Sequence, residues 1–340
     1  MSGKGSRRRA LWSVAVVAAV AAVLPVTAGT AAAATCMVNK AKSDDGSCIT
    51  SVITVDSARR VFDLVINSTA GNRVTAQRAR VMLPSGHGAD PGRRWPTLYL
   101  LHGGGVSGSA GYRDWTENTD VAEVTAGYAA LVVMPEAASA GWYSDWVNGS
   151  AYWETFHRVE LRQLLERNYA ASGRRAIAGL SMGGFGAMSY AARYPGEFAA
   201  VASYSGALHP LADFSFIQSL LFLNFQDING LWGDPTTAAG RARWQEHDPY
   251  YSVDALFDIP VYVASGQPPR GSDPLNLETV TNRETLAFEN RLNAAYVAAH
   301  PGSSGAPLLR THHYEGTHDW QYWEAEFVAS VDMLMDAVGG

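Results

Sequence analysis

Gly179-Leu180-Ser181-Met182-Gly183 constrains this chain more than any other stretch. A short apolar run, Ala176-Ile177-Ala178, precedes it and reads as a buried strand. Gly184-Phe185-Gly186-Ala187-Met188-Ser189-Tyr190-Ala191-Ala192 follows and reads as a helix packed closely on a sheet. The chain must reverse between the two within a residue or so. A side chain beside Ser181 would clash in so sharp a turn, so the flanking positions are glycine, which has no Cβ. Ser181 Oγ then stands above the sheet at the positive end of a helix.

Strand, sharp turn and helix around G-x-S-x-G form the nucleophile elbow of α/β-hydrolases. Further segments agree. Leu98-Tyr99-Leu100-Leu101 reads as a strand and ends in His102-Gly103-Gly104-Gly105. A loop of this kind supplies the second oxyanion-hole amide in lipases and esterases. The candidate amides are those of Gly104 and of Met182, the residue after the nucleophile. Late in the chain, Gly316-Thr317-His318-Asp319-Trp320 follows the strand-like Pro307–Thr311 and precedes a helical C-terminal segment. His318 fits the chain order serine, acid, histidine. His312 and His313 alternate faces at the end of that strand and read as packing or surface residues; no cysteine or carboxylate spacing supports a metal cluster with His318. The acid lies among Asp248, Asp254, Asp258, Asp273, Glu278, Glu284 and Glu289. It is expected on a loop after the strand Val261–Gly266. Asp258 precedes that strand, and Glu284 and Glu289 fall in an expected helix, 281–299, on a solvated face. Asp273 and Glu278 remain, and spacing does not separate them.

The opening of the chain reads as an export leader. Lys4, Arg7, Arg8 and Arg9 precede an apolar stretch from Leu11 to Val26, too short to span a bilayer comfortably, and Ala31–Ala34 supplies small residues for cleavage. Residues 1–34 are thus expected to be removed, leaving 35–340 as a single catalytic domain with no stable membrane span, acting outside the cell. The whole chain has a formal charge of −6, and losing the four leader cations makes it about −10. That balance argues against nucleic acid or an anionic membrane surface as partner. The two cysteines, Cys36 and Cys48, both lie in the exported part and are expected to form a disulfide.

Thr54–Asp56, Val61–Ile66 and Arg78–Leu83 alternate apolar and polar residues and read as leading antiparallel strands. Thr97–Leu101, Ala129–Met134, Arg175–Ala178, Ala200–Tyr204, Ile259–Ala264 and Leu308–His312 are short apolar runs, with helical stretches at Trp153–Tyr169, Met182–Arg193, Asn282–Ala299 and Tyr322–Val338. This alternation predicts an α/β-hydrolase fold: a mostly parallel sheet covered by helices on both faces, with catalytic loops at the carboxyl ends of its strands. The stretch 206–252 reads either as a cap near Ser181 or as a helix closing the core. Aromatic residues crowd Tyr112–Trp115, Trp142–Trp146 and Tyr152-Trp153. Of these and the C-terminal aromatics, Trp142, Trp146 and Trp320 are the candidate substrate-binding walls.

Leu100-Leu101-His102-Gly103-Gly104, Tyr143-Ser144-Asp145-Trp146, Trp153-Glu154-Thr155-Phe156, Gly179-Leu180-Ser181-Met182 and Gly316-Thr317-His318-Asp319-Trp320-Gln321-Tyr322-Trp323 together resemble an esterase family. That family includes esterase D, feruloyl and enterochelin esterases, and the secreted mycolyltransferases of the antigen 85 complex. The resemblance covers roughly residues 50–338 and is nearest to the mycolyltransferase branch. It implies that the acid is a glutamate ten residues before a phenylalanine, which here is Glu278 before Phe288. By that resemblance Ser181, Glu278 and His318 form the triad. The chain departs from the mycolyltransferases at the oxyanion loop. Aspartate-glycine-leucine-arginine stands there in those enzymes, and its charged pair serves a trehalose site. Here the loop is His102, Gly103, Gly104 and Gly105. The cysteine pair those enzymes carry after the Tyr-x-Asp-Trp block is also replaced, by Val147-Asn148-Gly149-Ser150. A glycine cannot bind sugar hydroxyls as an arginine does, which argues against trehalose as acceptor.

The expected function is a serine carboxylesterase acting on small-molecule, lipid or carbohydrate esters through an acyl-serine. The alternatives are an acyltransferase of the mycolyl or diacylglycerol type, and a catalytically silent extracellular binding protein on the same fold. No metal or organic cofactor is implied.

Overall fold

The apolar runs that end in glycine, proline or histidine become strands of one sheet in the computed structural model, which describes residues 35–70, 76–106, 108 and 110–340. The expected leader, 1–34, lies outside the described residues. Nine strands are described: β1 (Cys48–Asp56), β2 (Val61–Asn67), β3 (Gln77–Met82), β4 (Trp95–Leu101), β5 (Leu131–Pro135), β6 (Ala171–Leu180), β7 (Ala200–Tyr204), β8 (Val261–Gln267) and β9 (Leu309–Glu315). They lie in the order β1-β2-β3-β5-β4-β6-β7-β8-β9. The first three and β5 pair antiparallel, and every pair from β5 to β9 is parallel.

Ten α-helical segments are found among the described residues, around the sheet. Short α1 (Asp114–Asn118) and α2 (Val121–Val124) follow the glycine loop 102–105. The segments α3 (Trp153–Thr155) and α4 (Arg162–Asn168) are one continuous helix with a wider π stretch between them, Phe156–Leu161. Then come α5 (Met182–Arg193), α6 (Phe214–Leu223), α7 (Ile228–Trp232), α8 (Ala238–His247), α9 (Leu277–Ala299) and α10 (Trp320–Val338).

Side chains alternate along each strand, so the sheet feeds two cores. Tyr99, Leu101 and Ile177 join Phe156, Leu161, Phe185 and Met188 on one face. Leu98, Leu100, Ala176, Ala178, Ala200 and Ala202 join Phe327, Val331 and Leu334 of α10 on the other. The alanines on β6 and β7 are small, which lets α10 lie close to the sheet. Cys36 and Cys48 are disulfide-bonded with Cα atoms 5.6 Å apart, tying the start of the described chain to β1.

The stretch 206–252 becomes α6, α7 and α8. Ile217 and Leu221 of α6 are buried in the same core as Phe185 and Trp232, so the segment closes the core. The end of α6 and the turn after it, Phe222, Leu223 and Phe225, are exposed, and Asn224 donates to the Gly105 carbonyl of the glycine loop.

Helix α9 begins earlier than expected, at Leu277, so Glu278 stands in its first turn and not on a loop. Asp273 explains the early start. Its Oδ2 accepts from the backbone N–H and the hydroxyl of Thr279, each at 2.7 Å, satisfying an amide of the first turn. The expected solvated face is also corrected. Glu284 is buried against the loop after β7, where it accepts from the amide of His209 at 3.0 Å, and Glu289 is half-buried against His313. A 23-residue helix docked along the sheet presents one face inward, and both carboxylates lie on it.

Burial raises the Glu284 carboxyl well above its ordinary 4.5, with the charges of Asp213 and Asp248 adding to the shift and the His209 amide opposing it. The folded protein therefore holds a proton that the unfolded chain releases above 4.5. Stability at this group is full below that value and declines as the pH rises through it. Glu284→Gln removes the titration while keeping an acceptor for His209. Its melting temperature relative to wild type should rise steadily from acid to neutral pH in thermal denaturation. Parallel curves for the two proteins would refute the assignment.

Candidate active site

Parallel register brings the site together. Leu101 of β4 lies opposite Gly179 of β6, so the carboxyl ends of these strands are adjacent and the loop 102–105 sits beside Ser181. Gln267 of β8 lies opposite Glu315 of β9, so His318, three residues past β9, approaches Glu278 in the first turn of α9, the helix that follows β8.

Ser181 has φ 53° and ψ −122°, a backbone conformation that non-glycine residues adopt only under constraint. The constraint is visible on both sides. A Cβ on Gly179 would stand 2.3 Å from the carbonyl oxygen of Gly183. One on Gly183 would stand 2.4 Å from that of Leu101 and 2.5 Å from that of His102. Helix α5 thus starts pressed against the end of β4, and only glycine permits it. The Ser181 amide donates to the carbonyl of Tyr204 at 2.8 Å, anchoring the turn to β7.

His318 Nε2 lies 2.9 Å from Ser181 Oγ, and His318 Nδ1 lies 2.7 Å from Glu278 Oε2. A carboxylate only accepts, so Nδ1 carries the proton and donates to Glu278, leaving Nε2 free to accept from the serine hydroxyl. Glu278 is fully buried. Its other oxygen accepts from the Gly266 amide and from Ser205 Oγ at 2.8 Å. Ser205 Oγ in turn accepts from the indole N–H of Trp323 at 3.1 Å, and that indole packs edge-on to the His318 ring at 4.8 Å. A chain of donors therefore fixes the acid and the imidazole together.

The other sequence candidates fall into different places. Asp273 caps α9 and does not reach His318. His312 bonds Glu326 at 2.8 Å and His313 bonds Glu289 at 2.9 Å, each with its own carboxylate and apart from the triad. Gly104 sits at the site: a Cβ there would be 3.6 Å from that of Met182 and 3.2 Å from the Ser139 carbonyl oxygen. Met182 is the first residue of α5, where backbone amides have no partner within the helix. Trp320 is half-buried and packs edge-on against Trp115 and Trp323, at 5.6 Å and 5.4 Å. Trp142 and Trp146 are buried. Trp142 packs on Phe185 at 5.4 Å with its amide 3.4 Å from the Met182 sulfur, and Trp146 donates to the Gly141 carbonyl at 3.0 Å.

Sequence reasoning missed Ser205, Trp323, Asn224 and Tyr143, whose hydroxyl donates to the His102 carbonyl at 2.8 Å, as members of this constellation. Trp323 stands in the Gly316–Trp323 block and Tyr143 in the Tyr143–Trp146 block, so their motifs carried a signal. Ser205 and Asn224 are single polar residues with none.

The fold and site define an α/β-hydrolase of the serine type. The family described as “Putative esterase” matches residues 75–334, and the chain belongs to it. Esterase Rv1288 of Mycobacterium tuberculosis is 35% identical over 230 residues, covering 63% of this chain and 48% of that protein. The chain thus spans about half the length of that relative. Diacylglycerol acyltransferase/mycolyltransferase Ag85B of Mycolicibacterium smegmatis is 32% identical over 268 residues, covering 71% of this chain and 77% of that protein. The crystal structure of Mycobacterium tuberculosis MPT51 superposes with a TM-score of 0.67 at 24% identity, covering 80% of this chain and 96% of that one. A ferulic acid esterase structure superposes at 0.60 and 22% identity, over 82% and 98%. These two share the fold.

Removing the Ser205 hydroxyl should loosen Glu278 without unfolding the site. A hydrogen bond to a charged group is worth about 1.5–3 kcal/mol, so Ser205→Ala should lower kcat about 10- to 100-fold. Glu278→Gln should lower it about 10⁴-fold, as losing the triad acid does elsewhere. Steady-state ester hydrolysis measures both, and an unchanged kcat for Glu278→Gln would remove Glu278 from the machinery.

Proposed function

We propose that this chain is a serine esterase that cleaves carboxylic esters through an acyl-enzyme on Ser181. The observation that carries the reading is the unbroken relay from Glu278 Oε2 to His318 to Ser181 Oγ, at 2.7 Å and 2.9 Å. A glycine loop and the first turn of α5 lie alongside it.

In this reading His318 Nε2 takes the hydroxyl proton as Ser181 Oγ attacks the ester carbonyl carbon. The carbonyl π bond opens and its oxygen becomes an anion. The amides of Gly104 and Met182 donate to that oxygen. The carbonyl then re-forms, the C–O bond to the alcohol breaks, and His318 gives its proton to the leaving alkoxide. A water molecule, deprotonated by the same imidazole, attacks the acyl-serine, and collapse releases the acid and restores Ser181. Glu278 keeps the ring oriented and offsets its positive charge in both halves. Trp320, half-buried beside the histidine loop, lines the substrate path in this reading, whereas Trp142 and Trp146 pack into the core that holds Phe185.

The second half-reaction admits another nucleophile. Relatives named diacylglycerol acyltransferase/mycolyltransferase favour an alcohol in place of water. The glycines at 103–105, with no cation among them, favour an ester with an uncharged alcohol part. The basic, apolar and small-residue order of 1–34, together with the Cys36–Cys48 bond, supports action by a single exported catalytic domain, 35–340. A silent binding protein needs no such relay, so the intact triad weighs against that reading.

Rapid mixing with p-nitrophenyl butyrate should give a burst of p-nitrophenol stoichiometric with protein. Ser181→Ala should abolish the burst and lower kcat about a million-fold. Activity of the variant at the wild-type level would end the proposal. Faster turnover on adding glycerol, with a glyceryl ester as product, would identify the transfer branch; no acceleration would identify hydrolysis.

A further inference from the structure

We infer that His102 is a positioning residue that holds the oxyanion hole open by turning the Gly103–Gly104 peptide. The inference rests on the acyl-serine reading above and extends it to a residue with no contact to substrate.

The C=O and N–H of a trans peptide point in opposite directions. Whatever holds the Gly103 carbonyl therefore aims the Gly104 amide. The local sequence does not aim it, because two successive glycines leave the intervening peptide free to rotate. A rotated peptide would turn the Gly103 oxygen toward Ser181, placing a negative dipole where the oxyanion forms.

His102 prevents this. Its Nδ1 lies 2.7 Å from the Gly103 carbonyl oxygen, and its Nε2 lies 3.0 Å from the backbone nitrogen of Ala137. A backbone N–H can only donate, so Nε2 accepts and the ring proton resides on Nδ1, donating to Gly103. The ring is 1% exposed and packs beside Tyr143 at 5.8 Å. Neighbouring carbonyls are held in the same manner. The Leu101 oxygen accepts from the Trp115 indole at 3.1 Å, and the His102 oxygen accepts from the Tyr143 hydroxyl at 2.8 Å. Three successive carbonyls thus each take a side-chain donor. The next two peptides are fixed as well: the Gly105 amide donates to the Ser139 carbonyl at 2.9 Å, and the Gly105 oxygen accepts from Asn224 at 2.9 Å. Among the described residues, His102 bonds the oxygen of the peptide that carries the proposed donor.

The two ring nitrogens allow a test that separates orienting from anchoring. Asparagine places an N–H near the Nδ1 position and can still donate to Gly103. Glutamine places its amide near the Nε2 position and can still meet Ala137. Leucine does neither. His102→Leu and His102→Gln should lower kcat for p-nitrophenyl butyrate about 10²- to 10³-fold, the scale of losing one oxyanion donor. KM should stay within about threefold, since the lost interaction belongs to the transition state. His102→Asn should keep kcat within about tenfold of wild type. Affinity for an arylboronic acid, which forms a tetrahedral anion on Ser181, should fall in step with kcat/KM.

Rescue by glutamine and not by asparagine would show that His102 only anchors Ala137, and would overturn the inference. So would wild-type kcat in His102→Leu, or a loss confined to KM. Wild-type protein and Ser181→Ala, run alongside, separate the two levels. A Ser181-dependent burst that ignores His102 removes this inference alone. A burst that is absent, or independent of Ser181, removes the acyl-serine reading and this inference with it.

Discussion

The site depends first on a backbone contact: helix α5 begins where β4 ends, with Gly183 against the carbonyls of Leu101 and His102. Nothing larger than a hydrogen atom fits between them. That approach drives Ser181 into a left-handed backbone conformation and lifts its hydroxyl above the sheet. It also brings the first amides of α5 beside the glycine loop. Nucleophile and proposed oxyanion donors are thus consequences of one packing event. The strain at Ser181 persists because the sheet bond to Tyr204 and the glycines on both sides leave the turn no easier path.

The second half of the machinery is built by burial. Glu278 lies wholly away from water, yet both oxygens are engaged, by His318, Ser205 and the Gly266 amide. A buried carboxylate with those partners has no freedom to rotate, so the imidazole it holds has little either. Ser205 and Trp323 extend the chain of donors outward to α10. The arrangement places a rigid acid arm on one side of Ser181 and a hydrogen-bonded glycine loop on the other, which is the geometry that electrostatic preorganisation requires.

Much of this was legible along the chain. The three alternating segments and the six short apolar runs became the strands, because each was rich in residues that pack on a pleated surface. The serine, the glycine loop and the late histidine each stood in a local pattern with a mechanical reason. The acid was less legible. Residue spacing left Asp273 and Glu278 open, and the family resemblance pointed to Glu278. The reason spacing failed is physical: Asp273 caps the helix that carries Glu278, so both sit at the same turn. Glu284 and Glu289 were misread as solvated because a carboxylate in an amphipathic helix gives no sign that a sheet and a loop will cover it. Trp142 and Trp146 read as walls of a cleft, yet they pack inward, since an aromatic residue in a loop looks the same whether it faces substrate or core.

By itself the sequence determined which segments pair and which turn is too tight for a side chain, because strand alternation and glycine geometry act between neighbours in the chain. It equally determined the disulfide, since two nearby cysteines have only each other. Tertiary structure decided everything that depends on distant residues facing one another. It decided which carboxylate meets the imidazole and which ring nitrogen of His102 holds a proton. It also decided that Ser205 and Asn224 serve the site at all. Hydrogen-bond direction is set by the partner across the gap, and that partner is known only once the sheet has brought the strand ends side by side.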